Sequence, residues 1–161
     1  MFSYKSFLAL LLLIALVPVF SSCEEPVACR ELMSRFCDGY GISALIYSPS
    51  VSEGEAGYFS EDMFYTMYSE APDSVEDIAL IMLSRSDAVG ECAVIRCYSV
   101  YDALLVSDMC QRRMALFGAM LGEVDNSYAE DAFIMRRGTT VVMCALRDNE
   151  AAYAIWSEIL R

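Results

Sequence analysis

Tyr98, Ser99, Asp102, Arg112 and Arg113 form the group of polar side chains whose types could bind a partner. Ser99 and Asp102 at a helix start could hold an anion or a peptide terminus on exposed amides, with arginine as a second charge. Ser99 is first a helix cap, however, and Arg112 falls roughly 15 to 20 Å further along the axis. The five are therefore candidate interaction residues, with no catalytic assignment. Arg96 is expected to project from a strand and to pair with Glu91 or with an acid of the next strand.

Acid pairs recur at Glu53 with Glu55, Glu61 with Asp62, Glu76 with Asp77, and Glu123 with Asp125 and Asp131. Facing carboxylates could perform glycosidase chemistry or bind calcium. None has the Asp-x-Asp-x-Asp-Gly spacing of an EF-hand loop, and so acidic a chain produces such pairs as solvated surface. The chain has no histidine. Ser-His-Asp and Cys-His catalysis in their usual forms need an imidazole near neutral pKa, as do most catalytic zinc sites. No cofactor, metal site or catalytic residue is assigned.

Seven cysteines in 161 residues suggest a disulfide framework, yet their positions oppose one. Cys29 and Cys37 fall eight apart on one helix, about 12 Å along its axis, and cannot join. Cys92 and Cys97 lie five apart on one strand and so point to opposite faces. Cys110 and Cys144 sit within apolar stripes. Buried free thiols are the expectation, with one long-range bridge, Cys97 to Cys144, left open.

Cys23 stands apart. Before it runs Lys5, then an apolar stretch from Phe7 to Phe20 broken only by Pro18. That is a signal-peptide hydrophobic region, and at about 21 Å as a helix it falls short of the roughly 30 Å hydrocarbon core. The junction Ser21-Ser22-Cys23 places two small residues before a cysteine, as lipoprotein processing requires. Phe20 departs from the Leu usual three places before that cysteine, and ordinary cleavage after Ser21 also fits, with Val19 and Ser21 as the small or aliphatic pair. The expectation is a signal peptide over residues 1–22 and a single domain over 23–161, held to the outer face of a cell membrane by acyl chains on Cys23, with simple secretion as the alternative.

Removing the leader leaves 139 residues with ten arginines, 23 acids and no lysine, a net charge of about −13. Nucleic acid and anionic headgroups need a cationic face and are not expected partners. An acidic body on a lipid tether is expected to stand away from an anionic membrane. An envelope protein is the partner expected beyond the membrane itself.

The elements that must position these residues follow from periodicity and caps. Cys29, Leu32, Met33, Phe36 and Cys37 share one helical face, opened by Pro26 and closed by Gly39. A short strand is expected over Ser43–Tyr47 and a loop over Ser48–Tyr58. Ser60 caps a short helix through Tyr68. Ile78–Leu83 and Cys92–Tyr98 form a hairpin, and Ser99 starts a helix through Leu121 with Ala103, Val106, Cys110, Met114, Phe117 and Leu121 as its apolar stripe. A second hairpin, Ala132–Arg136 with Thr139–Leu146, precedes a helix capped by Asp148. The expected fold is α+β: a four-stranded, mainly antiparallel sheet from two strand-strand-helix units, with helices packed on one face, preceded by N-terminal helices, the first of which can cover part of the other face because Ile78–Leu83 is apolar on both.

The loop Gly54-Glu55-Ala56-Gly57-Tyr58, the run Glu91 to Ser99 with Asp102, and Met109-Cys110-Gln111-Arg112-Arg113 resemble the DUF4358 domain family. Its members are small exported proteins of Firmicutes, often lipoproteins. The resemblance spans most of the chain after Cys23 and implies location and architecture, with no catalytic residue to transfer. Three functions remain open: a non-enzymatic envelope interaction domain, a carboxylate-based hydrolase of an envelope glycan, and a small-ligand or ion binder. An exposed apolar patch would mark the first, facing carboxyls in a cleft the second, and a closed polar-dotted cavity the third.

Overall fold

A strand that is apolar at every position buries both of its faces, so Ile78–Leu83 requires a packed layer on each side of its sheet. The computed structural model describes residues 26–85, 88–121 and 131–161. Its elements run α1 (Cys29–Tyr40), β1 (Ile46–Tyr47), α2 (Glu61–Tyr68), β2 (Val75–Arg85), β3 (Ala88–Cys97), α3 (Val100–Leu121), β4 (Phe133–Arg137), β5 (Thr140–Ala145) and α4 (Asn149–Ile159). The strands form one antiparallel sheet in the order β1-β2-β3-β5-β4. The protein is α+β, with five strands instead of four because Ile46 and Tyr47 pair with Ile81 and Leu80 along the free edge of β2.

Helices cover both faces, and the departure from expectation is that α4 joins α1 on the second face instead of packing beside α3. On one face, Phe36 of α1 stacks on Trp156 of α4 at 4.8 Å between ring centroids, above Ala79, Ile81, Cys92, Val94 and Cys144. On the other, Phe64 and Tyr68 of α2 and Ala103, Val106, Met109 and Cys110 of α3 cover Leu80, Ala93, Ile95 and Met143. The reason is occupancy. α3 already lies across β3, β5 and β4, so α4 returns over the face that α1 alone would leave part-covered. The two strand-strand-helix units thus recur in order along the chain but place their helices on opposite sides.

Several caps match the residues that announce them. The Ser60 hydroxyl accepts the Met63 N–H at 3.1 Å, and the Asp148 carboxylate accepts that of Ala151 at 2.9 Å. α1 differs at both ends. It closes at Gly41, which takes the left-handed conformation (φ 73°) that glycine adopts without steric cost, while Gly39 lies within it. A Cβ on Gly39 would come 3.2 Å from Ile155 of α4, so Gly39 serves the close approach of the two helices. β2 and β3 also run longer than the apolar segments predict, because backbone pairing continues through Asp77 and Glu91 once those side chains find partners.

The six described cysteines, all but Cys23, are free and buried. Cys97 and Cys144 face opposite cores, so no bridge joins them; the register partner of Cys144 is Cys92. The Trp156 indole N–H donates to Cys92 Sγ at 3.3 Å. Burial pushes the thiols of Cys29 up to about 12 and of Cys37 and Cys97 up to about 11. Native protein at pH 8 is expected to resist alkylation at all six and to react at all six in denaturant, read by mass spectrometry. Because these folded-state values exceed those of the unfolded chain, their stabilisation is complete below about pH 8.5 and is lost as pH rises through 11 to 12. The urea midpoint should therefore fall across that alkaline range.

Candidate functional site

α3 begins where β3 leaves the sheet, and its start is closed on itself. The Ser99 hydroxyl donates to Asp102 Oδ2 at 2.6 Å and accepts the Asp102 N–H at 3.1 Å. This is a side-chain pair that satisfies one orphan amide of the first turn. Both groups are committed to the cap. Arg112 bridges to Glu70 at the surface, and Arg113 turns inward to Glu91, so neither arginine joins Ser99 and Asp102. Of the predicted group, only Tyr98, Ser99 and Asp102 lie together.

What the helix start exposes is apolar. Tyr98 and Tyr101 are 66 % and 69 % exposed, and Val100, Leu104 and Leu105 beside them are also outward. Ala103, Val106, Met109 and Cys110 already supply the buried stripe, so this second apolar row has no core to enter. Phe117 and Leu121, the expected end of that stripe, have side chains outside the described residues. A groove of about 630 Å³ lies behind Tyr98, walled by Phe59, Phe64, Glu61 and Asp73. A smaller hollow of about 300 Å³ runs beside Leu105, Asp108 and Arg112.

Two of the acids bordering the larger groove, Glu76 and Asp77, are taken up by Arg96. Its guanidinium donates to Glu76 Oε2 at 2.9 Å and to Asp77 Oδ2 at 3.4 Å, and Nη1 donates to the carbonyl oxygens of Val27 at 2.8 Å and Pro26 at 3.5 Å. Asp77 Oδ2 also accepts the Cys29 N–H at 2.7 Å. α1 has no side-chain cap of its own, and Asp77 supplies one from β2. Arg96 thus pairs with acids of the next strand, as one of its two expected partners predicts, and not with Glu91. The consequence is that residues 26–29 are tied to the sheet by two charged side chains. Cys23, the expected lipidation residue, lies outside the described residues, as does the leader.

Glu91 is 2 % exposed on the α2–α3 face of β3. Arg113 donates to its Oε2 through Nη2 at 2.7 Å and Nε at 3.2 Å, and the Tyr68 hydroxyl approaches Oε1 at 3.5 Å. Burial lowers the Arg113 pKa, but hydrogen bonding to Glu91 and the charge of that carboxylate outweigh it and the net shift is upward. The Tyr68 phenol is pushed well above its ordinary value by burial and then by the Glu91 charge. Among the described residues no three acids or cysteines converge to hold a metal ion, and no helix is long and apolar enough to cross a membrane.

No model of a known protein family, no curated protein and no solved structure matches the chain.

Sequence reasoning overlooked the roles of Asp77 and Glu91. Each is a carboxylate at the border of an apolar strand, and that placement is the signal that both need partners. The Glu91–Arg113 pair yields a direct test. Arg113→Met leaves a buried unpaired carboxylate and should cost about 3 to 5 kcal/mol in urea unfolding, whereas Glu91→Leu with Arg113→Met should recover most of that loss.

Proposed function

We propose that this chain is an exported lipoprotein, anchored through Cys23, whose single α+β domain of the DUF4358 type is a non-enzymatic interaction module of the cell envelope. The exposed apolar row Tyr98, Val100, Tyr101, Leu104 and Leu105 carries the reading. Such contiguous surface marks a contact face more often than it marks chance exposure. Two hollows flank it, which gives a contacting surface relief to fit. In this reading Tyr98 belongs to the contact face, Ser99 and Asp102 hold the helix start that presents it, and Arg112 edges it.

The hydrolase reading has less to stand on. Glu76 and Asp77 serve Arg96, which leaves Glu61 and Asp73 as the groove carboxylates without such a partner among the described residues. The open groove also lacks the enclosure a small-ligand site uses to desolvate its guest.

A photo-crosslinking residue in place of Leu105 tests the module in its native envelope. It should yield more adduct than the same residue in place of Arg35, exposed on α1. Equal yields, together with glycan hydrolysis by the purified protein, would refute the interaction reading. For the anchor, palmitate label should enter the wild type and be lost in Cys23→Ser, and equal label in both would end the lipoprotein assignment.

A further inference from the structure

The strand directions bring one end of the domain together. β2 begins there and β3 ends there, since Val75 pairs with Cys97. The β4–β5 turn lies beside them, with Arg96 paired to Thr140 and the Cys97 N–H donating to the Thr139 carbonyl at 2.9 Å. α1 and α3 both start at this end. The described chain also begins here, with Pro26 and Val27 held by Arg96. Cys23, three residues earlier, can lie no more than about 10 Å from Pro26.

Two kinds of exposed side chain share this end. Val27, Tyr98, Val100 and Tyr101 are apolar or amphipathic and outward. Arg30, Arg136 and Arg137 are exposed and make no ion pair with any described residue. The acids of this end are Glu76 and Asp77, which share Arg96, Asp102, which is hydrogen-bonded to Ser99 and keeps its charge, and Glu61 and Asp73 around the groove beside Tyr98, with Glu24 and Glu25 preceding Pro26 in sequence. Arg30, Arg136 and Arg137 are therefore local points of positive charge at an end whose acids still outnumber its arginines.

We propose that this end is a membrane-contact surface, the bilayer itself being the partner of the Tyr98–Tyr101 face. It rests on the anchored-lipoprotein reading and adds an orientation to it. The tyrosines sit at the headgroup level, where a ring is apolar and its hydroxyl is wet, and Arg136 and Arg137 meet anionic headgroups. Leu104 and Leu105, about 6 to 8 Å further along α3 than Val100, mark how deep the contact could reach. Short chain length from Cys23, apolar tip and free arginines favour a lipid surface over a protein partner here. The acidic body then projects away from the membrane while the apolar tip, with Arg136 and Arg137 beside it, touches it.

The test uses the full chain purified with its lipid and returned to vesicles of phosphatidylglycerol and phosphatidylcholine in equal parts, containing spin-labelled lipid. A fluorophore is placed on Val100→Cys or, at the far end of the sheet, on Arg147→Cys; the core thiols are buried and do not compete. Quenching should be several-fold stronger at position 100, and Arg136→Glu with Arg137→Glu should abolish that preference. Equal quenching at the two positions would overturn the surface, as would a preference the paired substitution leaves unchanged. Mass spectrometry of the same sample reads the acyl group on Cys23. Its absence would reject the anchor whatever the quenching, and the contact surface stands or falls on the ratio alone.

Discussion

The Arg96–Asp77 pair is the interaction on which the arrangement of the N-terminal half depends. One carboxylate caps a helix that cannot cap itself, and one guanidinium holds the backbone that leads into that helix. Both side chains stand on neighbouring strands of the sheet, opposite each other in register. The position of α1 is thus referred to the most extensively paired part of the molecule and does not depend on its own packing alone. Charged hydrogen bonds of this kind, partly shielded from solvent, hold geometry better than exposed ion pairs do.

β3 organises the remainder. Its alternate side chains feed two cores, Cys92 and Val94 into one and Ala93, Ile95 and Cys97 into the other. Its polar residues fall near its ends, Glu91 toward one and Arg96 toward the other, and each is met by an opposite charge. A central strand can carry such residues only where partners reach them, because an unpaired buried charge would cost several kcal/mol. The result is a sheet fastened at one end to the entering chain and at the other to α3.

Local features were legible in the residues and long-range ones were not. Ser60, Ser99 and Asp148 announce their helices because a cap works within four residues. The apolar stripe of α1 and the split of Cys92 from Cys97 follow from periodicity alone. Placement of α4 did not follow, since the β2–β3 hairpin is apolar on both sides and offers either face. Nor did the destination of Arg112 and Arg113, adjacent in sequence but about 100° apart around the helix, one outward to Glu70 and one inward to Glu91. The exposed apolar row of α3 is hardest to see, because an outward Tyr101 and Leu104 look in sequence like a continuation of the buried stripe.

Taken together, the domain holds residues 26–29 firmly against its sheet, at the same end as the exposed apolar start of α3. Rigidity at residues 26–29 is the central claim, since the placement of α1 and the direction in which the chain enters both depend on it. Amide hydrogen exchange on the full chain measures it most directly. The account predicts that the Cys29 amide exchanges as slowly as those of the sheet and speeds up by at least an order of magnitude in Asp77→Ala. A Cys29 amide that exchanges as fast as the exposed loop at residues 52–56, in wild type and variant alike, would contradict it.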